Sequence, residues 1–257
     1  MKRPQVTIFS GYGLNCEEET KFAFEKAGAD ASIVHINDII ATPSLLVRSQ
    51  IVAFPGGFSY GDDTGSGKAY ANRVKEHLGD GLKKFLERDT LMIGICNGFQ
   101  ILTGTGILPG ALIANDTPRF LCRWVDLKVE KGSSPWLRDI ESLSLPIAHG
   151  EGKYFADAST LASLNSRNMV ALRYAPGPLS EHFGLSANPN GALEDIAGVA
   201  AYEGRVLGLM PHPERAVRFT QLPHWTYLKE QYIREGVPLP ADGPGIEVFR
   251  NAVRYFA

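Results

Sequence analysis

Cys96 stands in the segment Gly94-Ile95-Cys96-Asn97-Gly98, directly after the apolar run Leu91-Met92-Ile93. Such a run reads as a buried strand, and Phe99-Gln100-Ile101-Leu102 can open a helix, so the cysteine falls on a tight strand-to-helix turn. Small neighbours let the backbone turn sharply, the side chain is held above a sheet, and a helix N-terminus stabilises a thiolate. This is the local chemistry of a nucleophile, and a buried cysteine beside turn glycines shares the pattern. A thiol of reference pKa, about 8.5, is mostly protonated near neutrality and needs a base or a cation nearby. Of the six histidines, His212 is best placed, because it follows the strand-like Val206 to Met210 and so leaves a sheet at a carboxyl edge, as Cys96 does. Glu214 follows two residues on. If Pro211 and Pro213 hold the segment extended, His212 and Glu214 point the same way with Cα atoms roughly 6 to 7 Å apart, and the carboxylate can accept from the imidazole. Cys96, His212 and Glu214 then supply a nucleophile, a base and an orienting carboxylate. Standing alone, His-Pro-Glu also reads as an ordinary surface turn.

Acyl transfer further requires donors for an oxyanion. The backbone N–H of Asn97, just after the nucleophile, and that of Gly57 in Pro55-Gly56-Gly57-Phe58 can provide them. The glycine turn lacks the G-x-x-x-x-G-K-[ST] pattern of a phosphate loop. Gly65-Ser66-Gly67-Lys68 also lacks the preceding strand and the spacing, and reads as a flexible loop before a helix.

The elements that must position these residues follow an alternating order. Gln5 to Phe9 is a strand candidate, Asn15 to Ala27 a helix with Asn15 as N-cap and Gly28 as terminator, Ala31 to His35 and Gln50 to Phe54 two further strands, and Ala69 to Arg88 a helix leading to the Cys96 strand. Strands alternating with helices imply a parallel sheet with helices on both faces and ligands at the carboxyl ends of its strands. In the middle of the chain Phe120 to Val129, Pro146 to Gly150 and Met169 to Tyr174 fit hairpin or mixed-sheet strands better. Ile196 to Ala201 and Val206 to Met210 read as a hairpin, and Gly245 to Phe256 as a closing helix. Phe219 to Pro244 is weakly patterned, with a short helix near Trp225 to Ile233.

With 257 residues, 26 basic and 28 acidic, and a pI near 6.3, the chain carries no electrostatic footprint for nucleic acid. Cys16, Cys96 and Cys122 form neither a C-x-x-C pair nor an even disulfide framework, which points to a reducing compartment and against structural zinc. There is no 18-residue apolar span, so no membrane role is expected and the expected location is the cytoplasm. No linker-like stretch divides the chain, so one domain over residues 1–257 is expected.

Four motifs in order carry a resemblance: P-G-G-F-S-Y-G-D-D at Pro55 to Asp63, G-I-C-N-G-F-Q at Gly94 to Gln100, H-G-E-G at His149 to Gly152, and P-H-P-E-R at Pro211 to Arg215. Together they resemble the triad-type (class I) glutamine amidotransferases and, more narrowly, the glutaminase subunits of phosphoribosylformylglycinamidine synthases. The likeness runs from G-L-N-C-E-E-E-T near the start to the closing helix. It implies an α/β, flavodoxin-like fold with a mostly parallel central sheet and an added antiparallel or mixed-strand region. It implies that Cys96 attacks the side-chain amide of L-glutamine, His212 shuttles the proton to the departing ammonia, Glu214 orients His212, and Gly57 and Asn97 hold the oxyanion. Gln100 would help bind glutamine, and the backbone around His149, Gly150 and Glu151 would lie against its α-amino and carboxylate end. Ammonia would pass to a partner synthetase subunit that binds ATP, magnesium and formylglycinamide ribonucleotide, with a small accessory subunit alongside and no cofactor or metal in this chain. A different thiol hydrolase, a glyoxalase-like enzyme of similar fold, and a non-catalytic scaffold are the alternatives. Phe219 to Pro244 is longer than in the shortest members and bears on the partner interface.

Overall fold

The computed structural model describes residues 3–61, 65 and 67–257. Asp62 and Asp63 of the first motif and Ser66 of the glycine loop lie outside the described residues. The N-terminal half alternates as the sequence pattern requires. Strand β1 (Gln5–Ser10) is followed by helix α1 (Glu17–Ala27), β2 (Asp30–His35), the short helices α2 (Ile36–Ala41) and α3 (Ser44–Arg48), β3 (Ile51–Phe54), α4 (Lys68–Leu86), β4 (Leu91–Ile95) and α5 (Asn97–Thr105). β3 and β4 are buried along their whole length, which is why they read as unbroken apolar runs rather than as alternating ones. Helix α1 ends at Gly28, whose φ of 102° is left-handed and whose N–H returns to Glu25. Its start differs from expectation. Cys16, not Asn15, is the N-cap and no side chain caps the helix, while Glu17, Glu18 and Glu19 place negative charge on its first turn. The Asn15 N–H is engaged elsewhere, on Gly56 O at 3.1 Å, so that residue belongs to the loop packed against β3.

The second half supplies β5 (Ala111–Ile113), β6 (Leu121–Val129), β7 (Ser142–His149), β8 (Lys153–Phe155), α6 (Ala158–Ser166), β9 (Val170–Tyr174), α7 (Pro178–Phe183), β10 (Ile196–Ala201), β11 (Val206–Leu209), α8 (Trp225–Glu235) and α9 (Ile246–Arg254). Among the described residues one sheet runs in the order β2-β1-β3-β4-β11-β10-β9-β6-β7, and β5 pairs with β8 apart from it. The pairings from β2 through β11 are parallel and those from β11 to β7 antiparallel. Its parallel part has the order of a doubly wound flavodoxin-like sheet, with β11 taking the fifth place. β10 and β11 form the expected hairpin, and β6, β7 and β9 the expected antiparallel extension. α1 packs on α9, where the Phe24 and Phe249 rings meet edge-on at 4.9 Å, and α4 packs on α5. None of the residues of α8 is buried, although the segment around it is tied down by the Arg218–Asp242 bridge and by Lys26 on Asp242 at 2.7 Å. No helix among the described residues is long and apolar enough to cross a membrane.

Two glycines let α5 dock directly on the sheet. A Cβ at Gly98, in its first turn, would overlap the Phe54 carbonyl oxygen of β3, and one at Gly94 would lie 2.6 Å from the Gly98 carbonyl oxygen. Backbone cannot move aside as a flexible side chain can, so the approach of helix to sheet depends on both. Gly98→Ala is expected to destabilise the protein by about 3 kcal/mol, measured as a lowered urea midpoint at unchanged m-value. A midpoint within error of wild type would show that the approach is adjustable.

Candidate active site

β4 and β11 pair in parallel, with Ile95 opposite Leu209, so the chain leaves both strands at one edge of the sheet. Cys96 leaves the first and His212 the second. Cys96 has φ 51° and ψ −105°, an uncommon region for a residue with a Cβ, costing of order 1–3 kcal/mol. Three backbone bonds enforce it: its N–H donates to Leu209 O at 2.8 Å, and its carbonyl accepts from the N–H groups of Phe99 (3.0 Å) and Gln100 (3.2 Å). The side chain is almost fully buried, with Sγ 3.7 Å from the Ala148 carbonyl of β7. Asn97 opens α5, and its N–H has no earlier helical carbonyl to bond.

His212 is fixed by its own N–H, which donates to Pro146 O of β7 at 2.8 Å. The following residues are not extended, as the flanking prolines suggested. Pro213–Arg215 is a 3-10 turn with proline in its first turn, and the Arg215 N–H closes it on the His212 carbonyl at 3.3 Å. His212 itself keeps the extended backbone favoured before a proline, with φ −105° and ψ 90°, and the turn begins only at Pro213, whose fixed φ and missing N–H suit a helix start. The turn nevertheless delivers the expected pair: His212 Nδ1 and Glu214 Oε1 lie 2.5 Å apart, both residues buried. An ionised Glu214 accepts the Nδ1 proton, which leaves Nε2, a buried atom without a hydrogen bond of its own, for the chemistry. Burial disfavours the imidazolium, but the Glu214 carboxylate and the sulfurs of Cys96 and Cys16 outweigh it and hold the proton affinity of His212 well above the ordinary histidine value.

Gly57 follows β3 and stands opposite Leu14 in an isolated antiparallel bridge. The bonds of that bridge are made by its neighbours, Phe58 N–H to Gly13 O (2.9 Å) and Asn15 N–H to Gly56 O (3.1 Å), so the Gly57 N–H points away from this segment. A side chain at Gly57 would lie 2.5 Å from the Gly13 carbonyl oxygen. The Asn97 side chain joins the glycine loop to the nucleophile turn: Oδ1 accepts from the Ser59 N–H at 3.1 Å, and Nδ2 donates to Gln100 Oε1 at 2.7 Å. Gln100 Nε2 in turn donates to the Glu151 carbonyl at 2.6 Å. Gln100 is therefore a buried strut between α5 and the turn after β7, rather than a solvated helix residue.

That turn holds His149, Gly150 and Glu151, and Asn115 organises it. The Asn115 amide donates to the carbonyls of His149 (3.0 Å) and Arg119 (3.1 Å), while its Oδ1 accepts from the Gly152 N–H (3.1 Å) and faces His149 Nδ1 at 3.1 Å. Oδ1 can only accept, so Nδ1 of His149 carries the proton and Nε2 keeps its lone pair. Nε2 is buried and has no partner. Burial, then the nearby charge of His212, push the His149 pKa down to about 4, so the ring is neutral near pH 7. Asn115 carries no sequence signal, being a single asparagine in a loop.

Cys16 and Arg215 are the other residues that sequence reasoning left outside the site. The Cys16 sulfur, a donor atom of His212 and one of Glu214 lie within 4.8 Å of one another, a spacing open to a metal. Their bonding runs otherwise: Nδ1 and Oε1 hold each other, and Sγ accepts from Arg215 Nη2 at 2.9 Å, a cation that disfavours another. A cavity of about 980 Å³ lined by Arg88, Glu130, Arg138, Arg205 and Tyr255 lies near the start of β4 and β11, at the end of the sheet away from Cys96.

Residues 3–256 match the CobB/CobQ-like glutamine amidotransferase domain. The phosphoribosylformylglycinamidine synthase subunit PurQ of Methanococcus maripaludis is 43% identical over 267 residues, covering 98% of this chain and 97% of the relative. That of Thermus thermophilus is 46% identical over 208 residues, covering 80% of this chain and 86% of the relative. Among solved structures, PurLQS from Thermotoga maritima contains a chain matching at TM-score 0.74 and 33% identity, covering 99% of this chain and 100% of that one. The chain belongs to the glutamine amidotransferase family, within its phosphoribosylformylglycinamidine synthase PurQ subunits.

Proposed function

We propose that this chain hydrolyses L-glutamine to glutamate and ammonia and delivers the ammonia to a partner synthetase, which converts formylglycinamide ribonucleotide to formylglycinamidine ribonucleotide in purine biosynthesis. The observation that carries the reading is the meeting of Cys96 with the buried His212–Glu214 pair at one edge of the sheet, inside a chain of this family. Cys96 Sγ attacks the amide carbon, the oxyanion is held by the N–H groups of Asn97 and Gly57, and His212 passes the thiol proton to the departing ammonia. Water then attacks the glutamyl thioester with His212 as base, and Glu214 keeps the imidazole in one tautomer through both steps. A strained cysteine and a buried ion pair have a cost in stability that a scaffold would have no reason to keep.

The backbone of His149, Gly150 and Glu151, held by Gln100 and Asn115, lies against the α-amino and carboxylate end of glutamine, and the His149 Nε2 lone pair suits an ammonium donor. All of residues 1–257 act as one glutaminase domain without a cofactor of its own. ATP and magnesium belong to the synthetase, and a small accessory subunit completes the assembly. Three free cysteines fit a reducing cytoplasm.

Ammonia and glutamate release, measured with and without the synthetase, is expected to vanish in Cys96→Ala. Full activity in that variant would end the thiol mechanism. In the resting state the Cys96 thiol lies against Ala148 O and Nε2 of His212 makes no hydrogen bond. The isolated chain is therefore expected to turn over slowly and the synthetase to raise kcat, and high unassisted turnover would contradict this. His149 generates a pH effect of definite sign. Its folded pKa of about 4 lies below the ordinary 6.5, so the unfolded chain binds more protons between these values, and stability present above about pH 6.5 is lost as pH falls toward 4. His212, shifted upward, has the opposite sign and loses its contribution only as pH rises through its raised value. The His149 contribution is roughly 3 kcal/mol; urea unfolding of His149→Gln at several pH values between neutrality and pH 4 is expected to show a flatter acid limb than wild type.

A further inference from the structure

Cys16 takes no part in the chemistry above, yet its sulfur lies in the same buried cluster. It precedes α1, is fully buried, and donates its N–H to Gly56 O at 3.1 Å. Gly56 is what lets sulfur and imidazole meet. A Cβ there would lie 2.7 Å from His212 Cε1 and 3.1 Å from Cys16 Sγ, so both flank the same bare backbone. Arg215, which donates to Sγ from Nη2, directly follows Glu214 in the turn that carries the base. Loop, sulfur and guanidinium thus form one rigid support joining α1 to the His212–Glu214 segment.

We propose that Cys16, fixed by Arg215, is a positioning residue of the reaction: it holds the His212 imidazole from the Gly56 side and offers it a sulfur that turnover does not consume. The need for such a group follows from the proton path. In acylation the bond from Cys96 Sγ to the amide carbon forms, the carbon–nitrogen bond breaks, and the thiol proton crosses His212 to leave with ammonia. In deacylation a water proton goes to His212 and then returns to the Cys96 sulfur as the thioester breaks. While Cys96 is acylated its sulfur no longer balances an imidazolium. Glu214 on Nδ1 and Cys16 beside the ring remain, and Cys16 neither makes nor breaks a covalent bond.

This inference rests on His212 as the base, and the test separates the two claims. Nitrogen NMR of the His212 imidazole in the full chain, which needs no turnover, follows its titration in wild type, Cys16→Ala and Cys16→Ser. Glutaminase kinetics on the assembled complex follow kcat and KM. Cys16→Ala is expected to release the His212 proton about one pH unit lower, to lower kcat roughly 10-fold with KM within about 2-fold, and to be partly rescued by Cys16→Ser. Arg215→Gln is expected to lower kcat in the Cys16 background and to add little in Cys16→Ala, the mark of a shared support. An unchanged His212 titration in Cys16→Ala, or in Cys16→Ser should the alanine variant not fold, would overturn the proposal and leave Cys16 as packing. Absence of glutaminase activity in the wild-type complex would instead remove the base assignment, while the titration still decides whether Cys16 acts on His212.

Discussion

The parallel pairing of β4 with β11 is the constraint from which the site is built. It sets Ile95 against Leu209, and the next bond along, Cys96 N–H to Leu209 O, both ends the ladder and pins the strained residue. Strain of order 1–3 kcal/mol at one residue persists only where neighbours over-determine it. Here the ladder holds one side and the first turn of α5 the other, while Gly94 and Gly98 let the helix backbone come close enough for both to act at once. Any loosening of that register would separate nucleophile from base, because both depart from the ends of these two strands.

The antiparallel extension has a different task. β7 reaches across to the same edge and supplies backbone groups rather than side chains: Pro146 O takes the His212 N–H, Ala148 O meets the Cys96 thiol, and His149 begins the turn on which Gln100 closes. Asn115, from the loop after β5, braces this turn at the His149 carbonyl and the Gly152 N–H, ties it to its own loop through the Arg119 carbonyl, and fixes the tautomer of His149. The two buried histidines consequently differ in charge preference although both are buried. His212 faces a carboxylate and two sulfurs that outweigh its burial and favour the cation, whereas His149 has no such partner, and burial followed by the nearby charge of His212 keeps it neutral.

Much of the fold was legible because its parallel strands are buried on both faces and therefore read as bare apolar runs: Ile51–Phe54 and Leu91–Ile95 fell where the pattern placed them. The short helices α2 and α3 and the small β5–β8 sheet did not stand out, since elements of three to six residues carry too little periodicity to register. Asn15 is not the N-cap because the helix begins one residue later, after Cys16, and the Asn15 side-chain oxygen that would cap it accepts instead from the Cys16 thiol at 3.4 Å. The His-Pro-Glu segment was assigned the right neighbours for the wrong backbone: an extended strand and a 3-10 turn begun by Pro213 both bring residues 212 and 214 together, and residue types alone do not separate them.

Residue types and their local spacing were enough to say which residues could do the chemistry. A cysteine between glycines after an apolar run, a histidine and a glutamate two apart after another, and two glycine-bearing turns are local statements of steric freedom and side-chain type, and these are written in the chain. Tertiary structure alone decided which distant groups those residues meet. That Cys16 lies beside His212 across most of the chain, that Arg215 turns toward its sulfur, that Gln100 is a strut, and that Asn115 fixes the tautomer of His149 all follow from the sheet order β1-β3-β4-β11 and the loops it gathers at one edge. Hydrogen bonds and proton affinities depend on distances of a few ångströms, and only the packed sheet sets such distances between segments far apart in sequence.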